Sequence, residues 1–190
     1  MIQTILNDAN NVHQQLLTNH SLHQRIQQLA DTCIHALKTN HKLILCGNGG
    51  SFADAQHITA ELVGRFLTDR QALPAICLGC NASSTTAIGN DYSFDDVFSR
   101  ELSAIGNPGD VLIGISTSGN SPNVLNAINV AQKNGIHVFG LTSNKKGAIT
   151  HACDCIEIPS AHTPRVQECH ILVGHIICEL IDATLFPIKN

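Results

Sequence analysis

Cys46-Gly47-Asn48-Gly49-Gly50-Ser51, followed by Asp54, His57 and Glu61, is the stretch on which the reading of this chain turns. The apolar run before it, Leu43-Ile44-Leu45, is bounded by turn formers and predicts a buried strand. After it, Ala53 to Phe66 predicts a helix. A glycine-rich turn between strand and helix lets backbone N–H groups approach a ligand at a helix N-terminus, where negative charge is favoured. His57 and Glu61 stand four residues apart, so both project from one face of that helix toward whatever the turn holds. A ligand-cradling loop and a His/Glu pair therefore share one site.

Outward from this stretch the chain keeps a rhythm of strand, loop and helix. Strands are predicted at 41–46, 73–79, 110–115, 136–141 and 154–158, with helices at 51–66, 83–90, 95–106 and 121–134, a short turn around 147–151, and a last helix at 164–185. Such alternation predicts an α/β fold with a doubly wound, five-stranded parallel sheet, right-handed crossovers and the flavodoxin-like order 2-1-3-4-5. Asn107-Pro108-Gly109-Asp110 ends one predicted helix and Gly135 follows another. Upstream, residues 2–18 and 21–39 carry helical apolar spacing, and Ser21 with Gln24 fits a capping box. His13, His20, His23 and His35 fall on the polar faces of these two helices. Apolar positions left over there call for a partner, and another subunit is a natural one. At 190 residues the chain predicts one domain, 1–190, in which 1–40 forms a helical hairpin for oligomerisation and 41–190 the α/β core.

Composition narrows the function. Hydrophobic residues make up 43% and aromatics 4%, with no Trp, so an aliphatic core of helices on a parallel sheet is expected. A net charge of -4, with no basic cluster beyond Lys145-Lys146, lacks the electrostatic footprint of a nucleic-acid binder. The first residues lack the features of a signal peptide, and no apolar run approaches membrane-spanning length, which predicts a cytoplasmic protein with no membrane partner. Eight cysteines raise the question of disulfides, yet Cys33, Cys46, Cys77, Cys169 and Cys178 sit in apolar periodic segments, as buried free thiols do. Cys77 and Cys80 with His151, Cys153 and Cys155 make an alternative zinc set, disfavoured because both pairs lie on or beside strands, where neighbouring side chains diverge.

A second loop follows the predicted strand Val111-Leu112-Ile113-Gly114-Ile115: Ser116-Thr117-Ser118-Gly119-Asn120-Ser121-Pro122. Ser121 reads as an N-cap and Pro122 as the first helical residue, so hydroxyls and free N–H groups converge in a way that suits a phosphate monoester. In the order 2-1-3-4-5 this loop and the first glycine loop flank the topological switch point, where ligands of such sheets bind. Neither loop fits a nucleotide site. Phe52 stands where a dinucleotide fingerprint needs its third small residue, the second strand ends in Gly79-Cys80-Asn81 with no acidic residue for a ribose, and no Gly-Lys-Ser/Thr follows.

The third stretch, Thr163-Pro164-Arg165-Val166-Gln167-Glu168-Cys169-His170, runs on to His175 in the last helix. Taken singly, His170 and His175 are read either as satisfied polar positions, the commoner case for a lone helical His, or as site residues, although a titratable group in the apolar run around His175 needs a partner. Together, Gly-Asn-Gly-Gly-Ser at 47–51, Asp54 to Glu61, Asn90-Asp91, the serine loop 116–121 and Gln167-Glu168-x-His170-x4-His175 resemble the phosphoheptose isomerase family of the sugar isomerase (SIS) domain superfamily. The resemblance covers nearly the whole chain.

It implies a homotetramer with active sites at subunit interfaces, one Zn2+ per subunit, and conversion of the sugar-phosphate substrate sedoheptulose 7-phosphate to D-glycero-D-manno-heptose 7-phosphate, the first step of ADP-heptose synthesis for the lipopolysaccharide core. Matched position by position, it makes His57, Glu61, Gln167 and His175 the metal set, with Glu61 and His175 also the acid/base pair. Asn48, Gly49, Gly50, Ser51, Glu61, Asn90, Asp91 and Gln167 would meet the substrate, and Ser116, Thr117, Ser118 and Ser121 its phosphate. Gln167 and His175 are eight helical residues apart, a rise of roughly 12 Å, so one ion takes both only if the side chains reach toward each other or come from different subunits. His162 stands where close relatives carry an acidic residue, a departure that bears on hydroxyl selectivity. For an enediol mechanism, Glu61 would move the carbon-bound proton while His175 serves the oxygens. The alternative is a non-catalytic SIS-domain protein that binds the bacterial replication initiator, whose C-terminus the tail Leu180 to Pro187 resembles. Members of that group lack the acidic residue and the histidine found here as Glu61 and His175.

Overall fold

Strand β1 (Leu43–Gly47) is buried at every position in the computed structural model, which describes residues 1–187. Strand pleating sends alternate side chains to opposite faces. Leu43 and Leu45 accordingly join one apolar core, and Ile44 and Cys46 another. β1 pairs in parallel with β2 (Ala75–Cys77) on one side and β3 (Val111–Ile115) on the other; β4 (His137–Ser143) and β5 (Asp154–Ile158) complete the order β2-β1-β3-β4-β5. This is the predicted topology.

The first core is closed by α1 (Ile2–Thr18), α2 (His20–Lys38), α3 (Gly50–Val63) and α8 (Thr163–Leu185). The second is closed by α5 (Val97–Ile105), α6 (Pro122–Lys133) and α7 (Ile149–Ala152), with Ile88 of α4 (Ala82–Asp91) packed against it. Since α3 follows β1 and α6 follows β3, the chain leaves these neighbouring strands toward opposite faces, which opens the crevice of a doubly wound sheet at their C-terminal ends.

Several local expectations are corrected. β2 is shorter than 73–79 because Pro74 has no N–H for the ladder and Gly79 turns the chain at φ 87°, its N–H donating to Glu101 at 2.6 Å. The expected capping box at Ser21 and Gln24 does not form. α2 starts one residue earlier, Asn19 caps it by accepting from the Leu22 N–H, and the Ser21 hydroxyl donates to the Asn19 side chain. The helix expected at 95–106 begins as a 3-10 turn, Phe94–Asp96, capped by Ser93, before α5. The turn near 147–151 is the short helix α7, and α3 stops at Val63 rather than 66. The alternative cysteine zinc site is ruled out by topology: Cys77 and Cys80 lie at the β2 edge and Cys153 and Cys155 at the opposite β5 edge. Cys33, Cys46, Cys77, Cys169 and Cys178 are buried free thiols as expected, and burial holds that of Cys46 up at about 12.

α3 and α8 pack side by side on the sheet. Their approach is close enough at Gly174 that a Cβ there would meet Ile58 Cδ1 at 2.4 Å. Val173, Ile177 and Ile181 of α8 fill the core beneath. On the same helix His170 is wholly buried, and its Nε2 donates to the Thr142 carbonyl at 3.2 Å. Burial disfavours the imidazolium and lowers its pKa from 6.5 to about 4. Between those two values the unfolded chain binds a proton that the folded chain refuses, so the contribution of His170 to stability is full above pH 6.5 and is lost as pH falls toward 4. His170→Gln keeps a donor for the carbonyl without the titration. Urea unfolding midpoints of this variant, compared with wild type from pH 7 down to 4, are expected to show a flatter acid limb.

Candidate active site

The glycine loop is shaped by its backbone. Gly49 caps α3 at φ 57° and ψ -120°, a conformation that excludes side chains, and its carbonyl accepts from the N–H groups of Phe52 and Ala53. Ser51 is buried, whereas Gly49 and Gly50 are exposed. Asn48 crosses the crevice to Asn123 in the first turn of α6: the two side-chain amides donate to each other's oxygens at 2.8 and 3.0 Å. Asn123 is 1% exposed and also accepts from the Val124 N–H. Sequence reasoning missed this residue; the one signal was a polar side chain in the first turn of a helix that had to pack against the sheet.

On the other side of the crevice, Ser116 and Ser121 share a hydrogen bond of 2.9 Å, and Ser116 and Ser118 lie 3.5 Å apart. Asn120 fixes the loop, donating its N–H to Ser118 Oγ and accepting from the Ala148 N–H ahead of α7. Ser121 occupies the N-cap of α6, with Pro122 behind it, but its hydroxyl makes no cap bond. In the first turn of α6 Pro122 has no N–H, and those of Val124 and Leu125 are taken by Asn123 Oδ1 and the Ser121 carbonyl, so the convergence of free N–H groups expected there is reduced and the equipment for an anion is chiefly the four hydroxyls, counting Thr117. Asn90 and Asp91 are exposed at the end of α4, the Asn90 amide donating to the Asp91 carboxylate at 2.8 Å.

Two turns along α3 from the glycine loop, His57 Nε2 lies 3.1 Å from Glu61 Oε1 and 3.1 Å from Nε2 of His175, which α8 presents from the side. The three residues offer donor atoms that all lie within 4.8 Å of one another, the one such His/Cys/Asp/Glu cluster among the described residues. Phe66 stacks on the His175 ring at 5.7 Å. Ligand atoms around a tetrahedral ion with bonds of about 2.0–2.1 Å stand about 3.3 Å apart, so the two separations of 3.1 Å from His57, and the pairing of imidazoles with a carboxylate, fit a zinc-like cation. Gln167 is elsewhere. Its amide packs over Gly50, where an added Cβ would fall 2.3 Å from Nε2, and its own helix carries it away from His175. Asp54, one turn before His57, is half-buried with an unpartnered Oδ2; burial lifts its pKa to about 6 against the opposing pull of His57. His162 is exposed at the N-cap of α8. Replacing Asn123 leaves the amide of Asn48 and the N–H of Val124 unmatched, so Asn123→Ala is expected to cost about 1–3 kcal/mol in denaturant unfolding, and substrate binding is expected to weaken as Asn48 loses its anchor.

The SIS domain family matches residues 6–143. A phosphoheptose isomerase from Nitratiruptor is 57% identical over 151 residues, 79% of this chain and 81% of that protein. One from Aneurinibacillus thermoaerophilus is 45% identical over 189 residues, 99% of this chain and 96% of that protein. Among solved structures, a phosphoheptose isomerase from Neisseria gonorrhoeae superposes with a TM-score of 0.89 at 39% identity, covering 96% of this chain and 97% of that one. Likeness at this level over nearly the full length, on a sheet of the same order and with the His/Glu/His cluster in place, decides between the enzymatic and the non-catalytic reading. The chain belongs to the phosphoheptose isomerase family of SIS-domain proteins.

Proposed function

We propose that the isomerisation of sedoheptulose 7-phosphate to D-glycero-D-manno-heptose 7-phosphate takes place where the glycine loop, the serine loop and the His57/Glu61/His175 cluster face one ligand. The cluster is the observation that carries this reading: it sits on the helix that leaves the glycine loop, and its donor atoms lie within 4.8 Å of one another. In the family's context the product feeds ADP-heptose synthesis for the lipopolysaccharide core, in the cytoplasm.

Each part has a task. Ser116, Thr117, Ser118 and Ser121 hold the phosphate and fix the sugar at one end. Asn48, Gly49, Gly50 and Ser51, with Asn90, Asp91 and Gln167, meet its hydroxyls. Moving a carbonyl between C1 and C2 needs a base that removes the proton from one carbon, leaving an enediol, and returns it to the neighbouring carbon, and a second group that moves the proton between the two oxygens. Glu61 is the base and His175 the oxygen-side acid. His57, Glu61 and His175 hold one zinc ion per subunit, which when bound polarises the carbonyl as a Lewis acid.

Two features favour a homotetramer with active sites at subunit interfaces. Ile2, Ile5 and Leu6 of α1 are 75%, 48% and 59% exposed, an apolar surface on the hairpin that a neighbouring subunit would cover. Gln167 and His175 are separated by a rise of roughly 12 Å on α8, so a fourth ligand from Gln167 would come from a second chain. The residues of 1–40 thus act in assembly and those of 41–190 in catalysis, within one domain.

Glu61→Gln keeps the side chain's shape and removes its basicity, so turnover is expected to fall by roughly 10²–10⁴ while substrate still binds. Loss of hydrogen exchange at C1 in deuterated water, followed by NMR, checks it; undiminished exchange would assign the base to another residue. His57→Ala is expected to strip zinc from protein purified without chelator, as read by elemental analysis. Mixing an inactive Glu61 variant with an inactive Gln167 variant should restore part of the activity if one site draws on two chains, because a chain with an intact His57/Glu61/His175 cluster can then meet an intact Gln167 from its neighbour.

A further inference from the structure

α3 ends at Val63, and its last turn is held by a side chain from the strap that follows. Arg70 donates through Nη2 to the Glu61 carbonyl at 2.9 Å and through Nη1 to the Leu62 carbonyl at 2.9 Å, two acceptors that the helix itself leaves without partners. Its Nε donates to Asp182 Oδ1 of α8 at 2.7 Å. Thr68, from the same strap, donates its hydroxyl to the other carboxylate oxygen at 3.5 Å, and the Phe186 ring lies 5.6 Å from the guanidinium. The Arg70 and Asp182 side chains are 1% and 5% exposed.

This placement does more than close a helix end. Asp182 follows His175 on α8 by seven residues, about two turns, and Arg70 binds the backbone of Glu61 itself. One planar group therefore joins the helix that carries His57 and Glu61 to the helix that carries His175. The strap held by this anchor also delivers Phe66, whose ring stacks on the His175 imidazole with 23° between their planes. Buried Cys178 lies in the same zone, its thiol raised to about 12 by burial first and then by Glu61 and Asp182, with Arg70 acting in the opposite sense. A buried ion pair contributes little net stability compared with well-packed apolar residues, so its presence here needs another reason. A guanidinium has the fixed fork geometry to satisfy two carbonyls and a carboxylate at once, which an ammonium on a flexible stem lacks.

We infer that Arg70 and Asp182 are positioning residues: through the strap and Phe66 they fix the separation of α3 and α8 and the orientation of His175, and so set the geometry of the His57/Glu61/His175 donor set. The inference rests on the metal reading of that set. A lock of this kind acts on ligands from behind, where loss of an outer partner typically costs about 10–100-fold in metal affinity.

The test compares Arg70→Lys, Asp182→Asn and Phe66→Leu in the full chain, each by chelator competition for zinc, by steady-state kinetics, and by NMR of labelled histidine rings in the metal-free protein. Arg70→Lys keeps the charge and loses the fork. It is expected to weaken zinc binding by about 10–100-fold, to lower kcat far more than it raises KM, and to move the His175 ring resonances in the same direction as Phe66→Leu, which removes the ring current directly. Wild-type zinc affinity and unshifted His175 resonances in Arg70→Lys, whatever its melting temperature, would overturn the inference. Should that variant fail to fold, Asp182→Asn and Phe66→Leu decide by the same two readouts. If the wild-type protein binds no zinc that depends on His57, the metal reading of the site fails, and the ring resonances of the metal-free protein still decide whether the strap orients His175.

Discussion

The close approach of α3 and α8 is the constraint on which the chemistry of this protein depends. Two helices laid on a sheet normally keep 8–10 Å between axes, set by the side chains at the contact. Here Gly174 removes one of those side chains so that Ile58 can occupy the space, and the imidazole of the next residue, His175, reaches Nε2 of His57. A larger residue at 174 would be felt twice, as overpacking of the core and as an opened donor set. Close packing near a site of this kind converts a small change of volume into a change of geometry, because the surrounding core has little room to yield.

The second organising feature is the direction in which the chain leaves the sheet. β1 and β3 are neighbours in register, Gly47 beside Ile115, yet α3 turns to one face and α6 to the other. Their N-termini therefore point into a common crevice. Asn48 and Asn123 tie the rims together with two hydrogen bonds between side chains that are 75 residues apart in the chain. The serine loop is braced from its far side by Asn120 and the backbone ahead of α7, so its hydroxyls are arranged before a ligand arrives. Preorganised donors of this type lose little on binding, so a phosphate placed here would not require a lysine or arginine among the loop residues.

What could be read from the sequence follows the range of the interactions involved. β1, the glycine loop and the His57/Glu61 pair are local: a run of apolar residues, a turn that needs glycine, a spacing of four on a helix. The strand order follows from alternation of elements and the preferred hand of crossovers. The edge strand β2 was overestimated because apolar residues outside the ladder, such as Leu73 and Leu78, are buried beside it without belonging to it. Asn19 was overlooked as a cap because Ser21 offered the more familiar pattern, although Ser21 serves only to hold Asn19. Asn123 gave only the faint signal of a polar side chain in the first turn of a packed helix, and Arg70 gave none. Their roles depend on partners 75 and 112 residues away, and no periodicity or short motif reports on such a pairing.

Gln167 connects these threads. Its side chain packs against Gly50, so this glycine serves a purpose beyond freedom of the backbone: any Cβ there would collide with the amide. The contact places Gln167 beside the glycine loop, at the start of α8, while His175 stands two turns further along, level with His57 and Glu61. Within a single chain, α8 therefore divides its labour. Its first turns lie beside the glycine loop, and its middle carries the histidine of the His57/Glu61/His175 cluster. For Gln167 also to reach an ion, the ion must be one held by another chain, with the two copies of α8 set side by side. An active site built in this way would be assembled only in an oligomer, and the exposed apolar surface of α1 would then carry a catalytic consequence as well as a structural one.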